Sequence, residues 1–277
     1  MTQRSTVFIG GGNMATALIG GRIAAGAKAS DFGIVEPLSS QRDVLRARFS
    51  GIHVSAKTAA EVIAGTGAVV FAVKPQQMPA AARALAPHVR GVPVVLTIAA
   101  GIRMSDLSRW LGGYRRIVRA MPNTPALVGA GVSGVYAAPD VDAVARETAA
   151  AILRAGGEIL WCEDEAALDG VTGVSGSGPA YVFYFLEALE QAARELGFSA
   201  ADARRLAYAT FSGAMALAQK SDAEPAALRA QVTSKGGTTE RALATLEANR
   251  VKASVIAAVK DAAKRAQELG DESGKEP

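Results

Sequence analysis

The sequence has little of the chemistry that disulfides and metal sites require. Its 277 residues include one cysteine, Cys162, so an intrachain disulfide cannot form. The two histidines, His53 and His88, lie in unrelated segments, with no cluster of cysteines or carboxylates nearby in the sequence. We therefore expect no metal site.

Long apolar runs and a strong net charge are missing as well. No uncharged apolar run reaches the ~20 residues of a membrane span. The segment from Met1 to Ser5 leads into a strand pattern without the apolar stretch of a signal peptide. The net charge is only +4, and no basic run is interleaved with aromatic residues. We therefore expect a soluble, cytoplasmic protein that binds neither membranes nor nucleic acid.

Aromatic residues are scarce, at 5% of the chain, although apolar residues make up 49%. Alanine and aliphatic side chains must therefore fill the core, a composition common in helix-rich enzymes. A chain of 277 residues exceeds a typical single domain, so we expect two domains.

The first half of the sequence alternates short β-rich runs with longer alanine-rich segments. This rhythm predicts βαβ units and a parallel sheet that helices cover on both faces. We therefore predict an α/β fold in which residues 1–162 form a Rossmann-like, doubly wound, dinucleotide-binding domain. The β-rich runs are Thr6–Ile9, Gly33–Glu36, Ala68–Val73, Pro93–Ile98, Arg116–Ala120, Val132–Tyr136 and Glu158–Trp161.

After Cys162 no comparable run of Val and Ile recurs, and the sequence is typical of helices. We place the domain boundary near Glu163 and predict that residues 163–277 form an all-α domain, with a frayed polar end at residues 270–277. The predicted helix breaks are at Ser175–Pro179, near Pro225, and at Gly236 and Gly237.

One segment of the helical half, Ala180–Leu186, is apolar on every side of a helical wheel. One domain surface is too small to cover such a helix, so a second subunit is the expected partner. The sequence therefore predicts an obligate homodimer.

The loop after the first strand matches the dinucleotide pattern G-x-G-x-x-G/A. Glycines in this pattern allow a tight turn and a close approach of the pyrophosphate, which faces the N-terminus of the next helix. An ordinary glycine turn is the alternative. The candidate cofactor-binding residues are Gly10, Gly11, Gly12, Asn13, Met14 and Ala15.

Glu36 ends the second β-rich run, where an acidic side chain would accept hydrogen bonds from an adenosine ribose. Such a contact favours NAD, because the carboxylate would repel a 2'-phosphate unless Ser39, Ser40 and Arg42 outweigh it. The alternative is a solvent-facing glutamate at a strand end.

Two further loops follow later strands of the predicted sheet. Lys74 and Pro75 follow the third of the β-rich runs, and Met121–Pro125, which includes Asn123, follows the fifth. In an open α/β sheet the crevice beyond the carboxyl ends of the strands binds ligands. Lys74, Pro75 and Asn123 are therefore further cofactor-binding candidates, and ordinary turn formation is the alternative.

The helical half contains two glycine-rich runs. Gly170–Tyr181 indicates close backbone approach, through either a helix kink or a direct ligand contact. In Ser234–Thr239, two adjacent glycines would weaken a helix, whereas exposed N–H groups and hydroxyls at the start of the next helix suit a small anion.

Taken together, five runs of this sequence closely resemble the pyrroline-5-carboxylate reductase family. They appear in that family's order and spacing, and the resemblance extends from Val7 to about Leu269. The first run is shared by many dehydrogenases, whereas the last two are highly specific. The five runs are Phe8–Ala15, Lys74–Pro75, Arg119–Pro125, Val171–Tyr181 and Ser234–Thr239.

The resemblance implies a reductase that converts 1-pyrroline-5-carboxylate to L-proline in the last step of proline biosynthesis. It implies NADPH as reductant, with NADH as the other choice, and a helical dimerisation domain after the Rossmann-like domain. Dimers in this family often assemble further into decamers, which are pentamers of dimers. The sequence leaves the choice between NADPH and NADH open, because Glu36 favours NADH.

The resemblance also implies roles for single residues. Ser234, Gly236, Gly237 and Thr238 would hold the substrate carboxylate, and the Thr239 hydroxyl would bond the ring nitrogen as the catalytic group. We expect the active site to lie between the two domains. Two residues depart from the family pattern, Lys235 in place of the usual proline and Ala59 in place of an asparagine.

Two other functions stay open on the sequence alone. One is a different imine or hydroxy-acid reductase of the 6-phosphogluconate-dehydrogenase-like superfamily, whose members usually carry a catalytic lysine on a second-domain helix. Neither Lys220 nor Lys235 fits that pattern. The other is a non-catalytic NAD(P)-binding sensor, which would have no reason to preserve Ser234–Thr239.

Overall fold

A computed structural model describes residues 5–274 and places an eight-stranded sheet in the first half of the chain. The strands are β1 (Thr6–Ile9), β2 (Phe32–Val35), β3 (His53–Ser55), β4 (Ala68–Phe71), β5 (Val94–Thr97), β6 (Ile117–Pro122), β7 (Gly131–Ala137) and β8 (Gly157–Trp161). The helices of this half are α1 (Asn13–Ala24), α2 (Ser39–Arg48), α3 (Ala60–Ile63), α4 (Met78–Leu85), α5 (Met104–Trp110) and α6 (Ala143–Leu153).

The strand order is β3-β2-β1-β4-β5-β6-β7-β8. Neighbouring strands are parallel except for the β6 and β7 pair, which is antiparallel. The chain moves outward from β1 to β3 and then crosses back to β4 beside β1. This reversal is a topological switch point, where open α/β sheets bind ligands at the carboxyl ends of the strands.

The central strands form because their side chains are buried on both faces of the sheet. Every residue of β1, β2, β4 and β5 is buried. Along β1, Phe8 belongs to the hydrophobic cluster on one face, whereas Val7 and Ile9 belong to the cluster on the other. This two-sided burial explains the continuous apolar runs in the sequence.

Each of the seven predicted β-rich runs overlaps a strand, and the predicted doubly wound α/β class is confirmed. One strand was not predicted. Strand β3 has only three residues, His53–Ser55, all of them half-buried, and it pairs with β2 at the edge of the sheet. Its sequence is too short for an alternating or continuous apolar pattern, so periodicity gives no signal there.

The second half of the described chain is helical. Its helices are α7 (Ala167–Val171), α8 (Gly178–Glu195), α9 (Ala200–Gln219), α10 (Pro225–Gln231), α11 (Thr238–Ala248) and α12 (Val251–Ser273), with a π-helical turn at Thr172–Gly176. The predicted interruptions near Pro225 and at Gly236 and Gly237 are present. Two further breaks, at Gly197 and Arg250, have positive φ angles of 94° and 54°.

The chain divides into two compact units, which we call the sheet unit and the helical unit. The sheet unit comprises the residues through Ser177 and those from Asp261, and the helical unit comprises Gly178–Lys260. The spatial division therefore falls later than the boundary near Glu163, and it returns the end of α12 to the sheet unit. Whether residues 163–277 form one functional domain stays a prediction.

The expected fraying after residue 270 is wrong for the described part of this segment. Helix α12 continues to Ser273, and Gly270 is buried. A Cβ at Gly270 would lie 2.6 Å from Arg103 Nε, and the Arg103 guanidinium lies 3.9 Å from the Asp271 carboxylate. Close packing and this ion pair hold the helix end to the sheet unit, whereas residues 275–277 lie outside the described chain.

The helical unit buries few of its apolar side chains. Helices α8, α10 and α11 have no buried residue at all. Within α8, the exposed fractions of Val182, Phe183 and Tyr184 are 45%, 63% and 72%. Among residues 5–274, no helix is both long and apolar enough to span a membrane.

Two adjacent glycines in α1 offer a test of the packing. A Cβ at Gly21 would overlap the carbonyl oxygen of Ala155, whereas at Gly20 it would lie 3.8 Å from the Phe49 ring. We expect Gly21→Ala to lower the free energy of unfolding by about 1 to 3 kcal/mol through overpacking. Gly20→Ala should instead raise it by up to ~1 kcal/mol, because alanine favours the helix.

Urea denaturation followed by circular dichroism, at one fixed protein concentration, measures both variants. Equal stabilities of the two variants would contradict the packing of α1 described above.

Candidate active site

The glycine loop lies at the switch point of the sheet, between β1 and α1. Gly10 has a φ of 98°, and a Cβ there would lie 2.7 Å from the carbonyl oxygen of Ala72, just past the end of β4. Only glycine allows both this conformation and this approach. The loop that follows β4, with Lys74 and Pro75, therefore lies beside the glycine loop.

The middle of the glycine loop is open. Gly12 precedes α1 as its N-cap, and a Cβ added to it would meet no atom within 4 Å. Asn13 is exposed and Met14 half-buried, whereas Ala15 is buried against the sheet. A helix N-terminus that begins at an open glycine fits a pyrophosphate, because its N–H groups and dipole favour an anion.

The Glu36 side chain is hydrogen-bonded to the glycine loop. Its side chain is buried, with the residue 8% exposed, so the alternative of a solvent-facing glutamate is wrong. Its Oε2 accepts a hydrogen bond of 3.0 Å from the Gly11 N–H, and its Oε1 accepts one of 2.9 Å from the Leu38 N–H. The carboxylate therefore fixes the glycine loop to the end of β2.

Two side chains of α2 complete this corner. Gln41 Nε2 donates a 2.7 Å hydrogen bond to the Gly11 carbonyl. Arg42 Nη1 donates to the carbonyls of Glu36 at 2.9 Å and of Pro37 at 2.6 Å. Ser39, the first residue of α2, is exposed.

The candidate residues in the loops after β4 and β6 differ in exposure and in hydrogen bonding. Lys74 is exposed and precedes a short 3₁₀ turn at Pro75–Gln77. Asn123, after β6, has both ends of its amide engaged: Oδ1 accepts from the Val132 N–H, and Nδ2 donates to Ser175 Oγ, each at 3.0 Å. The Asn123 side chain therefore links the β6 loop to the glycine-rich run Gly170–Tyr181. A contact between Asn123 and the cofactor stays a prediction.

The same glycine-rich run packs closely on β6 and β7. A Cβ at Gly176 would lie 2.7 Å from Met121 Cε, and one at Gly134 would lie 2.7 Å from the Val171 side chain. The close backbone approach expected of this run is therefore present within the sheet unit, whereas both interpretations of it, a helix kink and a direct ligand contact, stay predictions.

A buried ionic cluster was not predicted from the sequence. Arg119, on β6, is 3% exposed and donates to Glu165 Oε1 at 2.8 Å, and the same oxygen accepts from the Met104 N–H at 2.8 Å. Asp169 forms an ion pair of 2.9 Å with Arg103, and its Oδ1 lies 3.7 Å from Arg119. The cluster joins three segments that are far apart in sequence and share no motif, so only the fold reveals it.

The loop Ser234–Thr239 belongs to the helical unit. Gly236 has a φ of 74°, Gly237 is the N-cap of α11, and Thr238 and Thr239 open the helix. A Cβ at Gly237 would lie 2.5 Å from Ser234 Oγ and 3.0 Å from the Ser234 carbonyl oxygen, so a side chain here would crowd Ser234. Lys235 is exposed and Thr239 half-buried.

This loop holds a carboxylate of its own. Glu240 Oε2 accepts a hydrogen bond of 2.6 Å from the Gly236 N–H. Within the described residues, the N–H groups of Thr238 and Thr239 donate to no protein acceptor. The loop therefore offers N–H groups of the kind that bind a carboxylate at a helix N-terminus.

Cys162, the one cysteine of the sequence, directly follows β8. Burial raises the pKa of the Cys162 thiol, so its thiolate form is scarce at neutral pH. His53 lies in the edge strand β3, and His88 precedes β5, so neither belongs to the loops described above.

Two family models match the chain. The model described as pyrroline-5-carboxylate reductase dimerisation matches residues 165–269. The model described as NADP oxidoreductase, coenzyme F420-dependent, matches residues 5–101. The two matches cover the helical half and the glycine loop with its neighbouring strands.

Relatives match over nearly the whole chain. The pyrroline-5-carboxylate reductase of Pseudomonas aeruginosa is 44% identical, with 99% of this chain and all of that protein covered. The enzyme structure from Coxiella burnetii is 35% identical, with a TM-score of 0.89 over 97% of this chain and 99% of its own. That from Plasmodium falciparum, with NADP bound, is 27% identical, with a TM-score of 0.85 over 98% and 99%. The resemblance seen in the sequence is thereby confirmed: this chain belongs to the pyrroline-5-carboxylate reductase family.

Proposed function

We propose that this protein reduces 1-pyrroline-5-carboxylate to L-proline with NADPH or NADH, the last step of proline biosynthesis. Family membership over the whole length supports this function. The observation that carries it is the presence in one chain of two loops with separate tasks. The loop Gly10–Ala15 is open for a pyrophosphate, and the loop Ser234–Thr239 already holds a carboxylate.

The cofactor half of the reaction is assigned to the sheet unit. Gly10 and Gly12 let the pyrophosphate approach the backbone, and the N-terminus of α1 faces its charge. Glu36 holds this loop in place through the Gly11 N–H. When bound, the reduced nicotinamide supplies a hydride to the imine carbon.

The substrate half is assigned to the helical unit. The substrate carboxylate takes the place of Glu240 at the Gly236 N–H and accepts further bonds from Thr238 and Thr239. Each charge-assisted hydrogen bond of this kind contributes about 1.5 to 3 kcal/mol. The half-buried Thr239 hydroxyl bonds the ring nitrogen, which carries a proton as the iminium and keeps it as the amine of proline.

This reaction makes small demands on acid–base chemistry. A protonated imine already accepts hydride, so the protein mainly has to hold the two reactants in register. Placement in near-attack geometry can lower the barrier by about 7 to 11 kcal/mol. Backbone N–H groups and one hydroxyl are therefore sufficient, and neither Lys220 nor Lys235 needs a catalytic role.

The direct test follows NADPH or NADH absorbance at 340 nm with pyrroline-5-carboxylate as substrate. We expect absorbance to fall and proline to form in equal amounts. Turnover of hydroxy acids without proline formation would favour the other reductase, and cofactor binding without any turnover would favour the sensor.

The Thr239 hydroxyl provides a second test. We expect Thr239→Val to lower kcat/KM for pyrroline-5-carboxylate by about ten- to a hundredfold, because the ring nitrogen loses its partner. Thr245→Val is the matched control in the same helix, since the Thr245 hydroxyl bonds only the Arg241 carbonyl within the described chain. Unchanged kinetics in Thr239→Val would remove Thr239 from the site.

We also propose a homodimer formed through the exposed apolar face of α8, which can assemble further into a pentamer of dimers. The dimerisation description of the matching family model supports it. A cytoplasmic location stays a prediction from the sequence.

Sedimentation velocity at micromolar concentration tests this assembly, and a dimer or larger species is expected. Phe183→Arg should shift it toward monomer, because an unpaired charge would enter an apolar interface. Val144→Arg places the same charge at an exposed valine of the sheet unit and should leave assembly unchanged. A monomeric wild-type protein would contradict the proposal.

A further inference from the structure

The two hydrogen bonds that the Glu36 carboxylate accepts bear on which dinucleotide the protein prefers. A carboxylate has two oxygens and about four lone-pair sites. The bonds from the Gly11 and Leu38 N–H groups use one site on each oxygen. Each oxygen can therefore still accept a hydroxyl, such as the 2'-OH or 3'-OH of an adenosine ribose.

The same two bonds keep the carboxylate from moving away. Glu36 is 8% exposed, and rotating its side chain outward would leave the Gly11 and Leu38 N–H groups without this acceptor. The Gly11 N–H is buried, and leaving such a donor unpaired costs roughly 1 to 3 kcal/mol, whereas Leu38 is exposed and its N–H would lose less. The negative charge therefore stays beside the glycine loop when a ligand binds.

The neighbouring cation, Arg42, keeps its charge, but two backbone carbonyls hold one of its nitrogens. Arg42 is the arginine closest in sequence, and its Nη1 is turned toward the carbonyls of Glu36 and Pro37. Ser39 and Ser40 present neutral hydroxyls on the exposed start of α2. A phosphate on the ribose would bring roughly −1.5 to −2 charges toward a fixed carboxylate.

From this geometry we infer that Glu36 selects the dinucleotide without a 2'-phosphate, so that NADH is the preferred reductant. The inference rests on the proposed function for its physiological meaning and concerns the same cofactor loop. It reverses the order that family resemblance alone implies, in which NADPH comes first. Its physical basis is repulsion between like charges together with acceptance of ribose hydroxyls by the Glu36 carboxylate.

Equilibrium binding without substrate tests the inference independently of turnover. Titrations of the intact protein with NADH and NADPH, followed by nicotinamide fluorescence, give the two Kd values. We expect NADPH to bind at least about tenfold more weakly than NADH, which corresponds to ~1.4 kcal/mol. Equal or tighter binding of NADPH would overturn the inference.

The variant Glu36→Gln removes the charge and keeps an oxygen acceptor and the side-chain size. We expect the ratio of the two Kd values to fall to within about threefold of unity, because repulsion of the 2'-phosphate is lost. Glu158→Gln removes one charge from the exposed β8 residue at the far side of the sheet, and it should leave the ratio unchanged. Equal weakening of both cofactors in Glu36→Gln would show that Glu36 only braces the loop, and would overturn the inference.

A fragment titration decides the matter if Glu36→Gln does not fold. The wild-type protein should bind 5'-AMP more tightly than adenosine 2',5'-bisphosphate, and the reverse order would overturn the inference. These binding results stand even if pyrroline-5-carboxylate is not reduced, so failure of the proposed function is seen separately, in the turnover assay.

Discussion

Close approach between backbones is the constraint on which the sheet and its loops depend. At Gly10 a Cβ would lie 2.7 Å from the Ala72 carbonyl oxygen, and at Gly157 it would overlap Gly131. Such contacts leave no room for a side chain, so glycine is needed at these positions for close packing as well as for backbone conformation. Because the loops after β1 and β4 are forced side by side, the switch point of the sheet opens around Gly12.

Carboxylates hold several loops in place by accepting hydrogen bonds from backbone N–H groups. Glu36 binds the Gly11 N–H, Glu165 binds the Met104 N–H, and Glu240 binds the Gly236 N–H. Charge-assisted bonds of this kind are stronger than neutral ones. At Glu165 the same oxygen also pairs with the buried Arg119, so its loop and strand β6 are linked by one atom.

Sequence patterns were sufficient for the fold class and the glycine loop because both depend on local periodicity and on glycine spacing. They failed where the decisive contacts are distant in the chain. Strand β3 exists only because β2 offers it a partner, and Arg119 meets Asp169 only after the sheet has formed. The end of α12 was expected to fray because its sequence is polar, whereas Arg103 packs on Gly270 from 167 positions away. Residue roles carried by resemblance remain predictions, because ligand contacts follow from neither pattern.

In both the loop Gly10–Ala15 and the loop Ser234–Thr239, a glutamate accepts a hydrogen bond from a glycine N–H. The two glutamates differ in how easily this bond can be exchanged. Glu36 is buried and accepts two backbone bonds, so removing it would leave the buried Gly11 N–H unpaired, together with the N–H of the more exposed Leu38. Glu240 is exposed and accepts one bond, at Gly236, which water can replace at small cost. A fixed carboxylate suits a loop that must discriminate among ligands by charge. An exchangeable carboxylate suits a loop that must release its own acid in favour of the carboxylate of a substrate. Burial, more than residue type, therefore separates the glutamate that we propose selects the dinucleotide, Glu36, from the one that we propose gives way to the substrate carboxylate, Glu240.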